Sequence, residues 1–78
     1  MKDILKYIVT AIVEKEDQVE ITESEEDGVV NLVIAVAPEE MGRIIGKNGK
    51  VIKAIRNIMK IPAMKNNKKV FVSLAENR

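Results

Sequence analysis

The 78-residue chain contains no cysteine, no histidine and no tryptophan. Without cysteine it forms neither a disulfide nor a thiolate zinc cluster, a usage that suits a reducing cytoplasm. Without histidine and cysteine the commonest general base and the thiol nucleophile are missing, and nothing in the chain points to a metal, a cofactor or an enzyme. Aromatics are almost absent: Tyr7 and Phe71 stand alone, which argues against a base-stacking platform for nucleic acid. Long apolar runs are missing as well. The longest, Leu32 to Ala37, is far too short to span a bilayer, and Met1-Lys2-Asp3 leads straight into an amphipathic pattern. The expectation is a soluble, cytoplasmic protein with no membrane attachment.

What remains supports one small domain over residues 1–78, since hydrophobic residues make up 46% of the chain and there is no room for a second core. The net charge of +1 conceals an asymmetry. Residues 1–37 carry three lysines against nine acids, a balance of −6, and residues 38–78 carry ten basic residues against three acids, a balance of +7. For any single lysine a solvated surface is sufficient explanation. A whole basic half is the electrostatic footprint of a polyanion partner.

Read in order, Asp3 is a candidate N-cap for a helix reaching about Glu16, with Ile4, Leu5, Ile8, Val9, Ala11 and Ile12 recurring at helical spacing. Val19 and Ile21 alternate with Glu20 and Thr22 in a strand from Gln18 to about Glu25. Asp27-Gly28 supplies a type I′ turn, and Val29 to Val36 forms a central strand. That turn pairs Glu26 with Val29 and therefore Ile21 with Ile34 and Val19 with Val36, which places Val30 and Leu32 on the same face. Pro38 opens a short helix carrying Glu39 and Glu40 in its first turn and Met41 after them. Gly42 within it suits a close approach by another helix or a ligand. A further helix runs from Lys50 to about Lys60, ended by Pro62. A basic loop over about 61–69 and a strand through Val70, Val72 and Leu74 follow, and Ala75 to Arg78 are expected to fray.

The most informative stretch is Ile44-Ile45-Gly46-Lys47-Asn48-Gly49-Lys50-Val51-Ile52. Asn-Gly is a strong hairpin signal, but the flanks do not alternate and instead follow helical spacing, so the segment reads as helix, four-residue loop, helix. A nucleotide-binding P-loop is excluded: the glycine spacing from Gly42 is one residue short, and Asn48 stands where Ser or Thr would bind magnesium. Two readings remain, a structural corner between helices and a loop that clamps a sugar-phosphate backbone. For the clamp, two glycines permit close approach, the helix start supplies a positive dipole, and Lys47 and Lys50 add charge.

These nine residues resemble the signature of KH domains, whose Gly-x-x-Gly loop clamps about four nucleotides of single-stranded RNA. The element order α-β-β-α-α-β resembles the type II KH fold: α+β, with a three-stranded mixed sheet and helices on one face. A free-standing domain of this size is similar to the KhpA family of small bacterial RNA-binding proteins. The resemblance implies an RNA chaperone or post-transcriptional regulator, linked to cell shape and cell wall biogenesis, that pairs with a larger KH-containing protein, KhpB, or forms homodimers. It implies RNA contacts from Ile45, Gly46, Lys47, Asn48, Gly49, Lys50, Ile52, Lys53 and Arg56, with Lys68 and Lys69 on the variable loop. Ile45 and Ile52 would floor the groove, although a plain core role serves them almost as well. Modest affinity and low sequence specificity are expected. The apolar stripe of the second loop-flanking helix exceeds what one core contact needs, so Ile58, Met59, Ile61 and Met64 are assigned to a dimer or partner interface. A protein-interaction module acting mainly through that surface is the rival reading.

Overall fold

Leu5 and Val9, one helical turn apart, are fully buried and anchor helix α1 (Lys2–Ile12), with Met1, Ile8 and Ile12 packed at their margins. The described residues of the computed structural model are 1–75, so the expected fraying of the last residues falls, for 76–78, outside them. Met1, not Asp3, caps α1; Asp3 lies in the first turn, where the helix dipole favours it. The helix also ends at Ile12, earlier than its periodicity suggests. Val13 turns to extended backbone, and the N–H groups of Glu14 and Lys15 donate to the carboxylate of Glu40 at 2.6 and 3.1 Å. Glu40 is only 4% exposed, the one buried charged side chain among the described residues. Two ion pairs tie the same junction: Lys15 with Glu39, and Arg43 with Glu14 at 3.1 Å. The hydrogen bond between Lys15 and Glu39 holds the Glu39 carboxyl below its ordinary range and the Lys15 ammonium above it.

After a 3₁₀ turn at Glu16–Gln18, strand β1 (Glu20–Glu26) begins two residues later than expected and pairs antiparallel with β2 (Val29–Ala35). Asp27 and Gly28 both have positive φ, 52° and 76°, as a type I′ turn requires. The register follows from that turn: Glu26 opposes Val29 and Ile21 opposes Ile34. Strand β3 (Lys69–Leu74) lies parallel to β2 on its other side, giving a sheet ordered β1-β2-β3. Val30, Leu32, Ile34 and Val72 face the helices.

Pro38–Glu40 is a 3₁₀ turn leading into α2 (Met41–Ile45), and α3 (Lys50–Lys65) crosses the sheet with Ile52, Ile55, Met59 and Ala63 buried. An added Cβ at Gly42 would meet open space, so no helix approaches it. Helix α3 corrects the expected stop at Lys60: it runs through Pro62 and leaves residues 66–68 as the loop in place of 61–69. Its end is set by a Schellman cap. Asn67 sits at φ 55°, while the Lys68 N–H donates to Ala63 O at 2.8 Å and the Asn67 N–H to Met64 O at 3.1 Å. Burial of Met59 and Ala63 on either side of Pro62 holds the helix on the sheet despite the missing N–H. Among the described residues no helix is long and apolar enough to cross a membrane.

Candidate nucleic-acid interface

Helices α2 and α3 are joined by Gly46 and a 3₁₀ turn over Lys47–Gly49. The two glycines are needed for different reasons. Gly46 has φ 74° and ψ 175°, backbone accessible essentially to glycine alone, and an added Cβ would lie 2.3 Å from Val51 Cγ2. It is therefore the point where the loop is packed down on α3. Gly49 also has φ 74°, but an added Cβ there would meet nothing within 4 Å. Its glycine leaves open space facing solvent. Between them Asn48 adopts left-handed backbone, φ 57° and ψ 26°, and both Lys47 and Asn48 are exposed. The Gly49 N–H donates to Gly46 O at 3.2 Å, closing the turn. The result is an exposed cationic tip on a tightly packed base.

One helical turn beyond this loop, Lys53 begins a groove between α3 and β3. Arg56, Asn57 and Lys60 continue the helical wall at i+3, i+4 and i+7, while Val70, Phe71 and Val72 form the strand wall, enclosing about 460 Å³. That wall is a free sheet edge. The N–H groups of Lys69 and Ala75 donate to Gly28 O and Ile34 O of the β2 side at 3.0 and 2.8 Å. Residues of the same parity face β2, so the backbone N–H and C=O groups of Val70, Val72 and Leu74 point outward. Arg56 Nε donates to the Val72 carbonyl at 3.0 Å. Past Lys60 the groove continues into a mostly apolar hollow of about 290 Å³ lined by Ala63, Met64, Lys68, Lys69, Val70 and Phe71.

The structure thus brings Lys53 and Arg56 together in the groove and places Gly46, Lys47, Asn48, Gly49 and Lys50 at its head. Ile45, 38% exposed, lies beside the loop, but Ile52 is buried at 7% and serves the core. Lys69 is exposed at the far end, whereas Lys68 is paired with Glu25 at 2.8 Å. Among the residues assigned to a partner surface, Met59 is fully buried and cannot contact another chain; its i, i+4 relation to Ile55 puts it on the sheet-facing line. Ile58, Ile61 and Met64 are 44%, 59% and 73% exposed. Sequence reasoning overlooked Asn57, Lys60 and Val70. The spacing of Lys53, Asn57 and Lys60 on one helical face was the available signal. Among the described residues no cluster of His, Cys, Asp or Glu could hold a metal ion.

A family model for the KH domain of KhpA/KhpB matches residues 2–74. A protein of Clostridium acetobutylicum named RNA-binding protein KhpA is 40% identical over 74 residues, 95% of this chain and 99% of its own. Its namesake in Caldanaerobacter subterraneus is 38% identical over the same shares of both chains. Another in Chlamydia caviae is 37% identical over 78 residues, the whole of both chains.

Proposed function

The chain belongs to the KhpA/KhpB family of KH domains, a binding rather than an enzyme family, and on that premise we propose that it binds single-stranded RNA. The observation that carries this reading is the exposed Gly46–Gly49 turn standing at the head of a cationic groove walled by a free strand edge. Lys47 and Asn48 face the phosphates, Gly49 lets the sugar-phosphate chain approach, and Gly46 holds the turn on Val51. Lys50 and Lys53 add phosphate contacts, Ile45 offers apolar contact to a base, and Ile52 supports the site from beneath. Lys69 extends the cationic track. Lys68 contributes less, since Glu25 already neutralises it. A protein that grips strands in this way without transforming them acts as an RNA chaperone or post-transcriptional regulator, and the cytoplasm is the compartment that supplies its ligand.

Replacing both Lys47 and Asn48 with Asp puts like charge against the phosphates. The expected loss is about 1–3 kcal/mol of binding, roughly five- to 150-fold, with folding retained because both positions are exposed. A folded double variant that binds an unstructured RNA as tightly as the parent overturns the clamp.

A second reading rests on Ile58, Ile61 and Met64, exposed at i, i+3 and i+6 on α3. An apolar line of this kind suits docking of a second copy of the chain or of a larger KH-containing protein like KhpB. Pairing would set two glycine loops in one assembly and permit bivalent capture of a strand.

A further inference from the structure

Arg56 occupies an unusual place among the basic residues. The others in and around the groove end in solvent or, in Lys68, on an acidic side chain. Arg56 instead donates Nε–H to the carbonyl of Val72, the middle one of the three β3 residues whose backbone faces outward. Two consequences follow. The carbonyl is an acceptor on the wall where a base would lie, and it is already engaged. The guanidinium is also held in a fixed orientation, with its two terminal nitrogens bonded to nothing else among the described residues and its position lining the 460 Å³ groove. A guanidinium anchored through Nε still presents the parallel N–H pair of its outer edge, a bidentate donor that matches two adjacent acceptors.

We infer that Arg56 is a base-specificity residue: it replaces a strand acceptor by a paired donor and selects, at one position of the bound strand, a base edge carrying two neighbouring acceptors. This rests on the proposed RNA-binding reading and sharpens it. Two bases offer such an edge, guanine through O6 and N7 and cytosine through O2 and N3. Adenine and uracil offer only a donor beside an acceptor. An adenine amino group would in addition have to share the Val72 carbonyl with the Arg56 Nε–H, which occupies one of its two lone pairs. The assignment goes beyond the general RNA contact that the resemblance implies for Arg56 and beyond the low sequence specificity expected of the chain. The guanidinium intervenes between that backbone and the base.

The test uses the full chain and four unstructured RNA octamers: all uridine, and the same strand with two uridines replaced by guanine, cytosine or adenine. Fluorescence anisotropy should rank the guanine or the cytosine octamer at least about fivefold above the adenine and uridine ones, the lower end for a bidentate base contact. Comparing the guanine and cytosine strands shows which of the two edges is read. In Arg56→Met, a change at an exposed helical position that keeps helix propensity, this preference should collapse and the adenine strand should gain relative to the others. The Val72 carbonyl carbon shift should move in the same variant. The Lys47→Asp, Asn48→Asp double variant should weaken all four strands alike and leave the ranking intact. Equal affinity of the parent for the four octamers overturns the inference while leaving RNA binding standing. So does an Arg56→Met variant that loses affinity uniformly with its ranking kept, which marks a phosphate contact, or a Val72 shift that does not move. Failure of the parent to bind any octamer removes the RNA reading, and this inference with it.

Discussion

The backbone N–H of Glu14 donates to the carboxylate of Glu40 at 2.6 Å, across 26 residues of sequence. Together with the bond from Lys15 N–H at 3.1 Å, it makes one buried side chain the acceptor for the segment leaving α1. The contact fixes where α1 ends and joins it to the turn that launches α2, hence to the glycine loop. Replacing Glu40 with Ala leaves two donors without their acceptor in a partly buried site. The expected cost is about 1–3 kcal/mol, read as a lower urea midpoint with unchanged slope. Glu40→Gln keeps one acceptor oxygen and should fall between Ala and the parent. An Ala variant as stable as the parent would show that water satisfies both groups.

The two loop glycines should respond differently to alanine. At Gly46 the new Cβ would sit 2.3 Å from Val51 Cγ2, so the loop or the start of α3 must shift. At Gly49 only left-handed backbone has to be accommodated, about 1–2 kcal/mol, because the surrounding space is open. Thermal unfolding should therefore place Gly46→Ala well below Gly49→Ala. Equal midpoints would mean that the contact with Val51 relaxes freely.

Pro62 offers a stabilising change. Within α3 it lacks the N–H that would reach Ile58 O, and its ring crowds the preceding turn. Pro62→Ala restores that donor in a segment already held by the Asn67 cap, against a smaller gain in unfolded-chain entropy. A net gain of about 1–2 kcal/mol in urea unfolding is expected. A loss would show that packing of the half-buried ring outweighs the hydrogen bond.

Of these three sites only the loop glycines were legible in the sequence. Asp27-Gly28 carries its turn type in two adjacent residues, and the β1–β2 register follows by counting, as Ile21 opposite Ile34 confirms. Helical spacing likewise singled out Ile58, Ile61 and Met64 as more apolar surface than one core contact needs, and all three are exposed. What escaped depended on partners distant in sequence or on competing local rules. Nothing near Glu40 reveals that its acceptor role lies at the end of α1. Pro62 signals a stop, and Asn67 overrides it five residues later through backbone geometry. Met59 was assigned to the partner surface with Ile58, and only packing shows that it faces the sheet. The site followed the same pattern. The Gly46–Gly49 loop is local and readable, but the groove needs the β3 edge, and the engagement of Arg56 with Val72 appears only once strand and helix meet.

Salt dependence measures the phosphate contacts. If Lys47, Lys50 and Lys53 each neutralise one phosphate, the logarithm of the affinity for single-stranded RNA should fall with log salt at a slope of about −2. Lys53→Ala should flatten the slope by about 0.7. A slope near zero would mean that apolar or backbone contacts dominate and that the cationic tip is incidental.

The last expectation concerns the exposed apolar line on α3. Ile58, Ile61 and Met64 follow one another at intervals of three, all on the side away from Ile55 and Met59, which the sheet covers. Self-association or docking of a KH-containing partner through this line would bury them, and an Asp at Ile58 would place a charge in the middle of the contact. Because Ile58 is 44% exposed, the substitution should leave the fold intact. Light scattering at high micromolar concentration should therefore show a larger species for the parent and a monomer for Ile58→Asp, with matching circular dichroism. Removing pairing should also weaken binding of a long RNA, which two loops can hold together, more than binding of an octamer, which one loop fills. A parent that stays monomeric and docks no KH-containing partner would assign the line to ordinary surface, and the clamp would then act one strand at a time.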